Sequence, residues 1–227
     1  MTPEHKKILR ALVLELRAEL EGFENNAGQW QPGDLERRLV ELGVRRDREP
    51  SQRDELPRHA DLRARETFDA YLDLRLKAAL DDKIAEHARR ESQGRGRGKR
   101  AEPPTELSAD ERAEIVQGSV DAFIREPAYT WANRLLALRC MEARGLIDEV
   151  VLQKDVYGGK SLAHWRFVQR DPAAAEGEDE GLFATLLAAF ELHAERLPRV
   201  FHPAAPGLAL RPTLAALRRC LALLSGT

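Results

Sequence analysis

Apolar residues recur at three- and four-residue intervals over most of this chain and alternate almost nowhere, so its long segments can bury one face only as helices. Ile8, Leu9, Leu12, Val13, Leu16, Leu20 and Phe23 predict a first helix over residues 3–23, with Pro3 suited to its first turn. After a break at Asn25, Asn26 and Gly28, residues 33–42 predict a short helix ended by Gly43, followed by a charged connection. Leu62, Phe68, Leu72, Leu76, Leu80 and Ile84 mark a long helix over about residues 55–91.

Ser108 and Glu111 have the spacing of a capping box and predict a helix start. Residues 109–125 and 127–145 then read as two helices, or as one bent at Pro127, which has no N–H for the ladder; Gly145 is the stop. Further helices are predicted over about 180–196 and 212–224. The last is very apolar, and no later segment is expected to cover it. Only residues 150–168, where Val150, Val151 and Leu152 precede Gly158 and Gly159, offer a small hairpin. The expected fold is mainly α and bundle-like, with that hairpin. Its regions are a helical segment over 1–91, a basic Gly/Pro-containing linker over 92–107 and a second helical region over 108–227.

Charge narrows the partners. With 36 basic and 38 acidic residues the net charge is −2, so attraction to nucleic acid or anionic lipid must be local. It is local over residues 89–100, at the end of the long helix and the start of the linker, where Arg89, Arg90, Arg95, Arg97, Lys99 and Arg100 stand against Glu91 alone. Arg95, Arg97, Lys99 and Arg100 are candidate contacts to a nucleic-acid backbone, reading no sequence. No apolar run reaches the ~20 residues of a membrane span. Glu4, Glu15 and Glu19 lie where a signal peptide would need an apolar core. Cys140 and Cys220 lie in apolar helical contexts without a second Cys or His at ligand spacing. A cytoplasmic chain with no membrane association, no disulfide framework and no zinc is expected.

Motifs that could carry chemistry fail on context. The glycines of GRGRGK follow a polar helix and precede prolines, whereas a phosphate loop needs a buried strand before it and a helix start after it. Gly159-Lys160-Ser161 resembles the end of such a loop, but Lys154 occupies the place of its first glycine. Asp81-Asp82-Lys83 falls on the long helix rather than on a strand edge where carboxylates could share a metal ion. The six histidines are scattered without ligand spacing. No catalytic, cofactor-binding or metal-binding residue is assigned in this chain.

Residues 126–145, EPAYTWANRLLALRCMEARG, are different: Asn133, Arg134, Arg139, Glu142 and Arg144 interrupt an apolar helix with no single polar face to hold them. The run resembles the pattern E-x-A-Y-T-W-F-N-R-L-x-A-L-R-F-M-E-x-x-G, found ahead of the catalytic domain in large adenine-specific DNA methyltransferases. These are the PglX proteins of BREX phage-defence systems and related fused restriction–modification enzymes. The Tyr-Thr-Trp, Asn-Arg, Leu-Arg and Met-Glu groups are in register. Ala132 and Cys140 stand where the family has aromatics, which implies shallower packing there. Residues 156–161 (VYGGKS) and 210–212 (LRP) are also similar, so the resemblance covers about residues 108–225.

The resemblance implies an enzyme that binds S-adenosylmethionine at a Gly-rich loop after a first strand and flips adenine against an Asn/Asp-Pro-Pro-Tyr/Phe motif. Neither motif is in this chain; Pro103-Pro104 follows Glu102 and precedes Thr105. The expectation is therefore a non-catalytic helical N-terminal part, inactive alone. It would support the methylase domain in cis or in trans and contact the DNA backbone through the linker, with S-adenosylmethionine serving the parent enzyme. Tyr129, Trp131, Asn133, Arg134, Arg139 and Glu142 take structural roles on this reading, the last four as buried ion-pair and hydrogen-bond groups. The alternative is a stand-alone helical adaptor that binds a protein partner through its terminal helix and nucleic acid through the linker. A nuclease would need a metal-binding strand cluster, which the sequence lacks.

Overall fold

The computed structural model describes residues 3–46, 62–93 and 102–226, and these are mainly helical, as the spacing predicts. The elements are α1 (Pro3–Leu20), β1 (Gly22–Glu24), β2 (Trp30–Pro32), α2 (Asp34–Glu41), α3 (Leu62–Gln93), α4 (Ala109–Ala143), α5 (Leu162–Arg170), α6 (Leu182–Ala194), the short α7 (Pro198–Phe201) and α8 (Leu214–Ser225). Among the described residues no helix is long and apolar enough to cross a membrane.

Local chemistry sets the helix ends. Ser108 N–H donates to Glu111 Oε2 at 2.7 Å while Glu111 N–H donates to Ser108 Oγ at 3.3 Å, a reciprocal cap on α4. Gly43 and Gly145 both take positive φ, 76° and 65°, just past α2 and α4. Each is followed by the long-reach bond of a left-handed C-terminal cap, Val44 N–H to Leu39 O at 2.9 Å and Leu146 N–H to Met141 O at 3.0 Å. α4 runs through buried Pro127 as one helix of 35 residues, so no residue-127 amide is there for the Phe123 carbonyl.

The small hairpin is β1–β2, antiparallel, with Phe23 opposite Gln31. Phe23 thus belongs to a strand rather than to the first helix. The side-chain oxygen of Asn25 accepts from the amides of Ala27 and Gln29 and forms the turn. In residues 150–168 the structure closes only a single bridge, Lys154 to Lys160, before α5 begins. The physical reason is that the amides of residues 150–152 go to a side-chain carboxylate, described below, instead of to a neighbouring strand. The linker arginines and lysine, Arg95, Arg97, Lys99 and Arg100, lie outside the described residues.

The chain forms two compact units, Met1–Arg38 with Ile124–Thr227, and Leu39–Phe123. In the second, α3 and the first half of α4 lie antiparallel, since Phe68 meets Phe123 edge-on at 5.2 Å while Lys83 pairs with Glu111 at 2.7 Å. Phe68, Leu72, Val116 and Val120 are buried there, and buried Arg65 donates to Leu42 O at 2.6 Å. Leu62 and Ile84, at the ends of the predicted stripe, are exposed.

In the first unit, α1 packs along α8. Leu12, Leu16 and Leu20 of α1 are buried, as are Leu217, Leu221 and Leu224 of α8. Arg219 pairs with Glu19 along this contact, and Asp34 at the start of α2 accepts from the Thr213 hydroxyl at 2.6 Å and amide at 2.7 Å. The terminal helix, for which no later segment offers a cover, has its apolar face buried by one that precedes it in the chain by almost its whole length.

Candidate functional site

The second half of α4 is contacted on several sides, and this accounts for its mixed residues. Trp131 is fully buried, edge-on to Phe183 and Phe190, and its indole N–H donates to Leu210 O at 3.3 Å. That contact joins two of the segments on which the methyltransferase resemblance rests. Arg134 is buried beneath the Phe190 ring, its guanidinium 5.0 Å from the ring centre, and donates to His202 O at 2.6 Å. Burial pushes the Arg134 guanidinium below its ordinary range. Arg139 donates to Leu224 O at 3.0 Å, capping the end of α8, and lies 4.0 Å from Glu142. Tyr129 is half exposed under Arg17, 4.4 Å from the ring centre.

Glu142 is the most heavily used of these groups. Its carboxylate accepts from the amides of Val150 at 2.6 Å, Val151 at 2.5 Å and Leu152 at 3.2 Å. Three consecutive N–H groups converging on one anion form a strong, charge-assisted clamp. Asn133 departs from the expectation: it is exposed, because the buried positions 131, 134, 135 and 138 leave it on the outward side of the helix. Of the two departures from the family pattern, Ala132 is buried and Cys140 exposed.

The segment that Gly145 redirects and Glu142 clamps forms one wall of a cleft. The cleft has a volume of about 750 Å³ and runs along faces of α5 and α6. Val150, Phe167 and Ala189 line it with Thr185 and His193, while Leu146 and Leu192 stand at its edge, 64% and 73% exposed. Three arginines, Arg166, Arg170 and Arg196, line it against one acid, Asp148, which pairs with Arg166. His193 is buried against the Phe201 ring, and burial, with Arg196 nearby, lowers its pKa. Sequence reasoning missed this cleft. The only signal was Arg166 and Arg170 one turn apart beside apolar Phe167, which by itself describes any amphipathic helix.

The phosphate-loop candidate is occupied by its own fold. Gly158 and Gly159 amides donate to Asp155 O and Lys154 O, Lys160 pairs with Glu180 at 3.1 Å, and the Ser161 hydroxyl caps α5 by accepting from His164 N–H. Those amides and that cap leave nothing converging on a phosphate or on the S-adenosylmethionine carboxylate, so this loop does not fit the cofactor of the resembled enzymes. Among the described residues no group of three or more His, Cys, Asp or Glu is placed to hold a metal ion. Comparison with family models, with curated proteins and with solved structures returned no match.

Proposed function

We propose that this chain is a non-catalytic, cytoplasmic helical module of an adenine-specific DNA methyltransferase in a phage-defence or restriction–modification system, supporting the methylase domain and contacting the DNA backbone through its basic linker. One observation carries the reading. The signature residues Trp131, Arg134, Arg139 and Glu142 each hydrogen-bond backbone atoms of their own unit, tying α4 to the segments packed on it as a scaffold does. S-adenosylmethionine and the flipped adenine belong, on this reading, to the methylase domain. The second reading, a helical adaptor for a protein partner and nucleic acid, is favoured by the cleft, though not by α8, whose apolar face is covered.

Two measurements test the proposal together. Labelled S-adenosylmethionine is incubated with unmethylated duplex DNA and the chain alone, and the reading frame downstream of the coding region is sequenced. The expected results are no methyl transfer and a frame encoding a Gly-rich cofactor loop with an Asn-Pro-Pro motif. Turnover by the chain alone, or a downstream frame lacking both motifs, overturns it. Salt-dependent DNA retention lost on neutralising Arg95, Arg97, Lys99 and Arg100 supports the linker's share, and no retention at low salt removes it.

A further inference from the structure

We infer that the cleft along α5 and α6 is a docking groove for an acidic amphipathic helix of a protein partner. The inference stands whether or not the chain belongs to a methyltransferase, because it rests only on the shape and charge of the groove.

Three features identify the occupant. First, the lining residues recur at helical spacing on both walls, Ala163, Phe167 and Arg170 on α5 and Thr185, Ala189, His193 and Arg196 along α6 and its end. From Thr185 to Arg196 the α6 wall extends about 16 Å, the length of three turns of a helix laid along it. Second, Leu146 and Leu192 project at the edge into solvent, whereas Val150 and Ala189 on the floor are buried. A small molecule seated on the floor leaves them in water, whereas a helix filling the groove covers them.

Third, the charge is one-sided. Asp148 engages Arg166, while Arg170 and Arg196 have no carboxylate partner among the described residues. An apolar stripe flanked by Asp or Glu matches this floor and rim, since it buries the leucines and gives a carboxylate to Arg196 and to Arg170, whose guanidinium otherwise lies only over the Phe167 ring at 5.9 Å. A nucleic-acid backbone satisfies the arginines but buries none of the apolar lining. A bilayer presents a flat surface to a concave floor.

The test uses the full chain and two fluorescein-labelled peptides of about 16 residues, each with leucines at i, i+3, i+4 and i+7, flanked in one by glutamates and in the other by lysines. Binding is read by anisotropy, and phosphatidylglycerol vesicles form a third arm read by cosedimentation. The glutamate peptide is expected to bind at least about tenfold tighter than the lysine peptide. The double change Arg170→Glu, Arg196→Glu is expected to weaken it by roughly tenfold or more, with the effect shrinking at high salt. Leu192→Asp is expected to weaken it as well, whereas Arg199→Glu, exposed and outside the groove, leaves it unchanged. All four positions are exposed, and circular dichroism establishes that each variant is folded. Equal affinity for the two peptides, no binding of either, or insensitivity to the double change overturns the inference. Vesicle binding that depends on Arg170 and Arg196, without peptide binding, assigns the groove to a lipid surface and also overturns it.

Discussion

Glu142 takes the place of the neighbouring strand that residues 150–152 would otherwise need, gathering their three amides on one carboxylate. Arg134 is equally buried but makes a single backbone bond, and its Nε and Nη1 find no partner. The two residues should therefore respond differently to removal of their charge. Glu142→Gln is expected to cost about 2 kcal/mol, because amides that lose a charged acceptor stay partly buried. Arg134→Met is expected to stay within about 1 kcal/mol of the parent, since losing one hydrogen bond is offset by no longer burying a guanidinium without a counter-ion. Urea midpoints of the two variants check this, and an Arg134→Met loss as large as that of Glu142→Gln contradicts it.

At the scale of elements, α4 is shaped by what lies against it as much as by its own ladder. A Cβ on Gly207 would lie 2.1 Å from Thr130 Oγ1 and 2.8 Å from Glu126 O, so the turn leading to α8 touches α4 by virtue of having no side chain. Gly118, on the same helix, has nothing within 4 Å. Gly207→Ala is expected to destabilise by about 1–3 kcal/mol, whereas Gly118→Ala is expected to stabilise by about 0.5–1 kcal/mol through helix propensity. Thermal unfolding of both variants distinguishes these signs.

The same contrast explains what the sequence made legible. Helix ends at Gly43, Ser108 and Gly145 depend on residues within one turn of themselves, and they were readable. Val150, Val151 and Leu152 read as a strand because they are three consecutive apolar residues before a Gly-Gly turn, but their amide partner is a carboxylate eight to ten residues earlier on α4. The hairpin at Gly22–Pro32 gave no alternation to read, since Phe23 and Trp30 are both exposed. The cleft depends on α5, α6 and the clamped wall meeting in space, and no window of sequence contains that. Asn133 could not be told from its buried neighbours, because which faces of a helix are covered is decided by other elements.

For the molecule as a whole, two buried histidines make stability depend on pH. Burial lowers the pKa of His164, whose Nε2 lies 2.8 Å from Glu180 O, and of His193. A histidine with a lowered folded pKa binds its proton more readily when unfolded, so unfolding is favoured as pH falls below the ordinary histidine value of about 6.5. Stability is expected to be full above about pH 6.5–7 and to decline toward pH 5.5. His164→Gln, which keeps a donor for Glu180 O, is expected to flatten that decline in circular-dichroism melts. An unchanged slope would show that His164 contributes nothing to it.

The packing of α1 along α8 has a consequence for the chain during its own synthesis. Glu19 meets Arg219 across 200 residues of sequence, and Leu12, Leu16 and Leu20 are covered at that same contact. At roughly 5–20 residues per second, a ribosome needs about 10–40 s to deliver the second partner after the first. Throughout that interval the newly made first helix lacks the α8 surface that lies against it in the folded chain.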